Sequence, residues 1–160
     1  MLPYQQLFHN GVVVADLEAA MATLGKAFDL QWTQPHRFSG LSLWTPERGL
    51  ESIDLLVSYS RQGPQRLELI EAKETGFYSY PREPGPHHAG IWVDDLAHEI
   101  RQLRRQGWQV AAAGGSPDEN YGLFAYLEHA HSHLLLELVS TELRPALESW
   151  WAGGSLNGTP

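Results

Sequence analysis

His9 and His88 each open an apolar run, and each is followed two residues later by a glycine: His9-Asn10-Gly11-Val12-Val13-Val14 and His88-Ala89-Gly90-Ile91-Trp92-Val93. In both places an acidic residue and a leucine then begin a helical pattern, Asp16-Leu17 and Asp95-Leu96. Two later runs also match each other, Arg66-Leu67-Glu68-Leu69-Ile70 and Leu135-Leu136-Glu137-Leu138-Val139. One imidazole and one carboxylate therefore recur at corresponding places in each half. A single histidine at a strand start is ordinarily a satisfied or exposed ring, and a single strand glutamate usually lies at a wet edge. Four such residues in duplicated positions are not independent accidents.

Side chains alternate along a strand, so Glu137 faces with Leu135 and Val139 while Leu134, Leu136 and Leu138 take the opposite face. An ionised carboxylate in so apolar a strand costs several kcal/mol unless it is paired with a cation, an arginine or a shared proton. Two such glutamates beside two strand-leading histidines favour a divalent cation. With no cysteine in the chain, a metal has only His, Asp and Glu to sit on. The donor set His9, Glu68, His88 and Glu137 suits one zinc, nickel, cobalt, manganese or ferrous ion without choosing among them. Such an ion with open positions is a Lewis acid for a developing enolate. Glu137, or as second choice Glu68, is the expected proton carrier. Gly11 and Gly90 lie on the faces of the histidines and leave room for an ion and ligand. Trp92, Trp44 and Tyr126 are the expected substrate-contacting walls, within a wider set of strand and loop aromatics that includes Tyr59 and Tyr121.

The elements that must position these groups read in the same order twice. After the first strand, Asp16 caps a helix over 17–28 with Leu17, Ala20, Met21, Leu24, Ala27 and Phe28 on one stripe. Extended runs follow at 31–38, 41–45, 52–60 and 66–72. Between residues 73 and 85 the pattern dissolves into Gly76, Pro81, Pro84 and Gly85, a connector. The second half restarts with a strand to Val93 and a helix capped by Asp94 or Asp95 that carries Leu96, Ile100 and Leu103. Extended runs at 108–112, 123–128 and 133–140 follow. The tail places Leu143, Leu147, Trp150 and Trp151 on one helical stripe, to pack on the domain or on a neighbouring subunit. The reading is one domain over 1–160, with modules 5–72 and 86–140, a connector 73–85 and a helical tail 141–160.

Composition narrows the function classes. Eleven Lys and Arg stand against nineteen Asp and Glu, a net charge of -8, so nucleic acid is an unsuitable partner. No apolar run approaches the roughly 20 residues that span a bilayer, and the N-terminus lacks a signal-peptide pattern, so no membrane partner and a cytoplasmic location are expected. No glycine-rich phosphate loop or nucleotide fingerprint is present. His129, His131 and His133 alternate, but a histidine-rich hairpin connection is preferred to a second metal site. Phe77, Tyr78 and Tyr80 of the connector either fold over a pocket mouth or only tie the modules.

The paired His and Glu positions resemble the vicinal oxygen chelate superfamily, which contains glyoxalase I, methylmalonyl-CoA epimerase, extradiol dioxygenases and fosfomycin- or bleomycin-resistance proteins. The resemblance spans roughly residues 7 to 140. Local likeness is greatest to epimerase-like and glyoxalase I-like members, through Gly85-Pro86-His87-His88, Val93-Asp94-Asp95-Leu96 and Pro46-Glu47-Arg48-Gly49. It implies an α+β fold of two βαβββ modules forming an incomplete eight-stranded barrel around one metal held by His9, Glu68, His88 and Glu137. Glu68 is what glyoxalase I carries where epimerases can carry Gln. The further epimerase glutamate falls, without gaps, on Ser52, beside Glu51 and Asp54. The expected activity is that of an isomerase, epimerase or lyase working through a metal-bound enolate or enediolate on a small carbonyl or thioester substrate. The alternatives are a ligand-sequestering binding or resistance protein without catalysis, or a ferrous extradiol-type dioxygenase. A homodimer is the partner state that the resemblance and the tryptophan-bearing tail suggest.

Overall fold

The computed structural model describes residues 2–72, 76–78 and 85–156. The first module runs β1 (Leu7–Val13), α1 (Leu17–Phe28), β2 (His36–Thr45), β3 (Gly49–Tyr59) and β4 (Arg66–Ala72). The second repeats it with β5 (Gly85–Val93), α2 (Leu96–Arg104), β6 (Gln109–Ala113), β7 (Phe124–Glu128) and β8 (Leu135–Ser140), and α3 (Arg144–Trp151) follows. Both helices start where an aspartate accepts a backbone N–H three residues on, Asp16 from Ala19 at 2.8 Å and Asp95 from His98 at 2.8 Å. Asp94, the other cap candidate, instead accepts the Thr141 hydroxyl at 2.9 Å.

The strands form a ring in the order β1-β4-β3-β2-β6-β7-β8-β5. Within each module the first and last strands pair parallel, β1 with β4 and β5 with β8. The modules meet along β1 and β5, which pair antiparallel. On the far side β2 and β6 meet at a single register pair, Trp44 with Ala113. One seam is thus a full ladder and the other a single rung, and the sheet is a cup as much as a barrel.

Strand alternation sorts the apolar residues into two layers. Val13, Leu43, Leu55, Val57, Ile70, Leu135 and Val139 fill the interior together with Trp150 and Trp151 of α3. Ile91, Val93, Leu127, Leu136 and Leu138 face outward under Leu96, Ile100 and Leu103 of α2. β8 is therefore buried on both faces, and Glu137 lies on the interior face with Leu135 and Val139. Fully burying a side chain of this size stabilises by about 1.5–3 kcal/mol. The tail packs on its own barrel: Trp150 Nε1 donates to the Gln34 carbonyl at 2.9 Å, and Arg61 donates to the carbonyls of Trp151 and Ala152 at 3.1 and 2.9 Å.

Two local expectations change. The runs 31–38 and 41–45 are one strand, β2, interrupted by a register shift between Phe38 and Leu41. Gly40 takes φ +72 there and donates to Asp54 Oδ1 at 2.8 Å, so glycine supplies a left-handed bulge that propensity alone reads as a break. Residues before His36 add only a bridge between Trp32 and Ser60. In α1 only Leu17 is fully buried, Ala20, Met21 and Leu24 are half-buried, and Phe28 is 64% exposed, so the helix packs through its first two turns. His129 to His133 form the turn between β7 and β8, in which the Ser132 and His133 N–H groups bond to the His129 carbonyl. No described helix is long and apolar enough to cross a membrane. Tyr80, Pro81 and Pro84 of the connector lie outside the described residues.

Candidate metal centre

Register alone brings the repeated residues together. His9 pairs with Gly90 and Gly11 with His88 across the module seam, while Gly11 also neighbours Glu68 and Gly90 neighbours Glu137. Each glycine thus lies between a histidine of one strand and a glutamate of another. A Cβ on Gly11 would fall inside the His88 imidazole, and one on Gly90 inside that of His9. The space cleared by each glycine is taken by the imidazole of the opposite module, not by a ligand as the sequence reading held.

The four side chains converge on one point. His9 Nε2 lies 3.1 Å from Glu137 Oε2 and 3.4 Å from Glu68 Oε2. His88 Nε2 lies 3.1 Å from Glu68 Oε2 and 3.4 Å from Glu137 Oε2, and the two Nε2 atoms are 2.9 Å apart. The exposures of His9, Glu68, His88 and Glu137 are 2%, 9%, 6% and 7%. Among the described residues they are the one group of His, Asp or Glu side chains placed to hold a metal ion.

Two buried carboxylates aimed at one spot need positive charge between them. Burial disfavours the imidazolium of His88, but Glu137 and Glu68 outweigh it and raise His88 to about 9. His9 is raised in the same way, chiefly by Glu68 against burial. Burial pushes Glu68 and Glu137 up, yet the facing imidazoles hold both well below the ordinary carboxylate range. Glu68 Oε2 is buried without a hydrogen bond among the described residues. Two imidazole nitrogens and two carboxylate oxygens converging from four strands, one oxygen otherwise orphaned, fit a divalent cation in place of the protons.

The surroundings of the two modules match in part. Tyr59 packs edge-on against His9 at 5.6 Å, and Tyr126 against His88 at 5.1 Å. The Tyr59 hydroxyl donates to Glu68 Oε1 at 2.6 Å, whereas the Tyr126 hydroxyl pairs with that of Tyr78 at 2.8 Å. Burial raises all three phenols, so they stay protonated at neutral pH. Glu137 meets only the two imidazoles among the described residues. Beside the tetrad lies a cavity of about 100 Å³, bounded by Glu68, Glu137, Tyr59, Tyr126 and Phe124, and roofed by Leu143, Leu147 and Trp150.

Of the three expected substrate walls, Tyr126 borders this cavity. Trp92 faces the interior but stacks on Phe8 at 3.9 Å, and it lines a separate depression of about 480 Å³ with Arg61, Arg66 and Arg144. Trp44 is not brought to the site: its neighbour Leu43 points inward, so Trp44 points out and meets Tyr121 at 6.1 Å. Glu51 pairs with Arg48 at 3.1 Å and Asp54 holds the β2 bulge, so neither borders the cavity. Sequence reasoning missed Tyr59 as the partner of Glu68, His87 as the partner of His88, and α3 as the roof.

The family described as the glyoxalase/bleomycin resistance protein/dioxygenase superfamily matches residues 8–126. Among curated proteins none matches the chain in sequence. Among solved structures, a hypothetical protein of Bacillus halodurans is similar with a TM-score of 0.60 at 18% identity, over 84% of this chain and 92% of that one. Methylmalonyl-CoA epimerase of Mycobacterium tuberculosis gives 0.59 at 18%, over 88% and 92%. A mutant 4-hydroxymandelate synthase of Streptomyces coelicolor gives 0.55 at 18%, over 84% of this chain and 48% of that one. At these identities the likeness shows the fold, the vicinal oxygen chelate fold.

Proposed function

Because the chain belongs to the glyoxalase/bleomycin resistance protein/dioxygenase superfamily, we propose that it is a metal-dependent isomerase, epimerase or lyase that moves a proton next to the carbonyl or thioester of a small substrate. His9, Glu68, His88 and Glu137 would hold one divalent cation. When bound, the ion supplies Lewis-acid stabilisation of negative charge on the substrate oxygen, worth several kcal/mol.

The observation that carries the reading is the unequal tethering of the two glutamates. Glu68 is held at Oε1 by a buried phenol, 2.6 Å away, which fixes how its other oxygen points. Glu137 has no such tether among the described residues and borders the cavity. A proton carrier must swing toward a C–H bond and come within hydrogen-bond reach of it, and Glu137 is the carboxylate left able to do so. Glu68 is assigned to holding the ion. Tyr126 and Tyr78 present protonated hydroxyls beside Glu137, suited to orienting a substrate oxygen. The apolar roof and walls keep water away from the carbanionic centre.

The cavity also bears on the dioxygenase alternative. At about 100 Å³ it is smaller than the ~150 Å³ space that takes up benzene in an engineered apolar cavity, so a short acyl or hydroxyacyl unit fits better than a catechol ring. Glu68 beside Glu137 further gives two carboxylates where the ferrous sites of that chemistry use two histidines and one.

The test is solvent-deuterium incorporation next to the carbonyl of short 2-substituted acyl thioesters. One structural neighbour holds methylmalonyl-CoA, which is the first probe. Metal-loaded protein is expected to exchange the proton, and Glu137→Gln to lose exchange while still binding zinc. Protein that takes up less than about a tenth of an equivalent of metal, with no gain on adding it, would instead support a ligand-sequestering role.

A further inference from the structure

Resting on the metal reading of the tetrad, the geometry points to His87 as a positioning residue that fixes the tautomer of His88, and so presents the bare Nε2 of His88 to the cation. His87 is buried at 6% exposure, and its Nδ1 lies 2.9 Å from His88 Nδ1. Its other nitrogen, Nε2, faces the carbonyl oxygen of Phe77 at 3.4 Å. A cation held at His88 Nε2 would take the lone pair of that nitrogen, so the hydrogen of the His88 ring resides on Nδ1. His87 Nδ1 is then an acceptor, and the hydrogen in the 2.9 Å contact belongs to His88. With Nδ1 of His88 carrying that hydrogen, the lone pair of its neutral ring is on Nε2, the atom facing Glu68, Glu137 and His9.

His87 thus accepts the hydrogen that a metal-holding His88 carries on Nδ1, while the Phe77 carbonyl faces the other nitrogen of His87. The connector does more than tie the modules: Phe77 and Tyr78 hold the His87 ring, at 5.2 and 5.3 Å between centroids. His9 lacks the counterpart among the described residues, where its buried Nδ1 has no hydrogen-bond partner. The centre is two-fold in its ligands and one-sided in their support. Partners of this kind usually set metal affinity by 10- to 100-fold.

Two variants and one spectrum test this. His87→Phe keeps a buried ring and removes the acceptor, while His87→Asn keeps a carbonyl oxygen near the place of Nδ1. Zinc affinity, read by competition with a chromophoric chelator, is expected to fall 10- to 100-fold in His87→Phe and to stay within about threefold in His87→Asn. In the zinc-loaded protein the ring nitrogens are expected to show a scalar coupling between His88 Nδ1 and His87 Nδ1 with the hydrogen on His88. Absence of the coupling, a hydrogen found on His87 Nδ1, or undiminished zinc affinity in a folded His87→Phe overturns the proposal. Failure of the unmodified protein to take up zinc would overturn the metal reading itself, whereas normal uptake without the coupling, or with undiminished affinity in His87→Phe, overturns the role of His87 alone.

Discussion

His9 stands nearer to Glu137 of the other module, at 3.1 Å, than to Glu68 of its own, at 3.4 Å. His88 mirrors this, 3.1 Å from Glu68 and 3.4 Å from Glu137. The energetic difference across 0.3 Å is small beside its topological meaning. Each half brings one imidazole and one carboxylate, and the donor set is completed across the seam of β1 and β5. That seam is therefore part of the metal centre as well as of the fold.

Gly11→Ala tests it directly. A methyl group there overlaps the buried His88 ring, which must turn off its position. Overpacking of this kind costs about 1–3 kcal/mol, and a displaced ligand is expected to lower zinc affinity by at least tenfold. Gly49→Ala is the control: nothing lies within 4 Å of its Cβ, but φ is +70. It is expected to cost about 1–2 kcal/mol of backbone strain and to leave zinc affinity unchanged. Thermal unfolding with chelator, paired with chelator competition, separates the two.

The division of labour between the glutamates is open to a paired substitution. Tyr59→Phe removes the 2.6 Å hydrogen bond to Glu68 and leaves a buried carboxylate oxygen without its donor, costing about 1.5–3 kcal/mol of stability. Proton exchange should fall by no more than about tenfold, because Glu68 remains a ligand. Glu137→Gln should lower exchange by about 10²- to 10⁴-fold, the usual worth of a general base. Equal losses in the two variants would contradict the assignment of Glu137 as proton carrier.

How much of this was written in the sequence depends on the interaction that places each residue. The tetrad was legible because duplication marks it four times over, and the Leu-Glu-Leu alternation of β8 set Glu137 inward on period two alone. Tyr59 and His87 were not, since one depends on the register of β3 against β4 and the other on residue 77 folding back over β5. Trp44 was read as a wall from its type; parity with Leu43 decides otherwise, and the Gly40 bulge upstream in β2 hides that parity from a simple count. The roofing role of α3 was half visible, in a stripe of apolar residues whose partner only the tertiary structure names.

The charge balance predicts an opposite pH response in metal-free and metal-loaded protein. His88 is raised to about 9 in the folded state from an ordinary 6.5, so its contribution is fully present below about pH 6.5 and is lost as pH rises through 9. Glu68 and Glu137 are lowered, so theirs is present above about pH 4.5 and is lost only in acid. Metal-free protein should therefore be most stable between about pH 4.5 and 6.5. It should lose on the order of 3 kcal/mol by pH 9.5, a fall in Tm of roughly 6–12 °C. Zinc replaces those protons, so its stabilisation should grow over the same interval, with proton release on binding at pH 7. Unfolding scans with chelator or zinc and titration calorimetry in two buffers measure both effects; a flat metal-free profile from pH 6.5 to 9.5 would contradict the balance.

The roof of the cavity should set substrate length. Leu147 and Leu143 sit one turn apart on the tail and border the same cavity as Glu137, and Trp150 closes the row. Leu147 is partly buried, so Leu147→Ala should cost about 1–2 kcal/mol, below the 2–5 of a fully buried leucine. The space it vacates admits further carbon atoms on the acyl chain. One methylene in an apolar pocket is worth 10- to 200-fold in discrimination. The ratio of kcat/KM for a longer over a shorter acyl thioester should therefore rise by about tenfold or more in Leu147→Ala. The metal content should not change, because Leu147 is not one of the four residues that would hold the ion. A variant that loses activity on both chain lengths in equal measure would mean that α3 only stabilises the barrel, and that the chain length is chosen elsewhere.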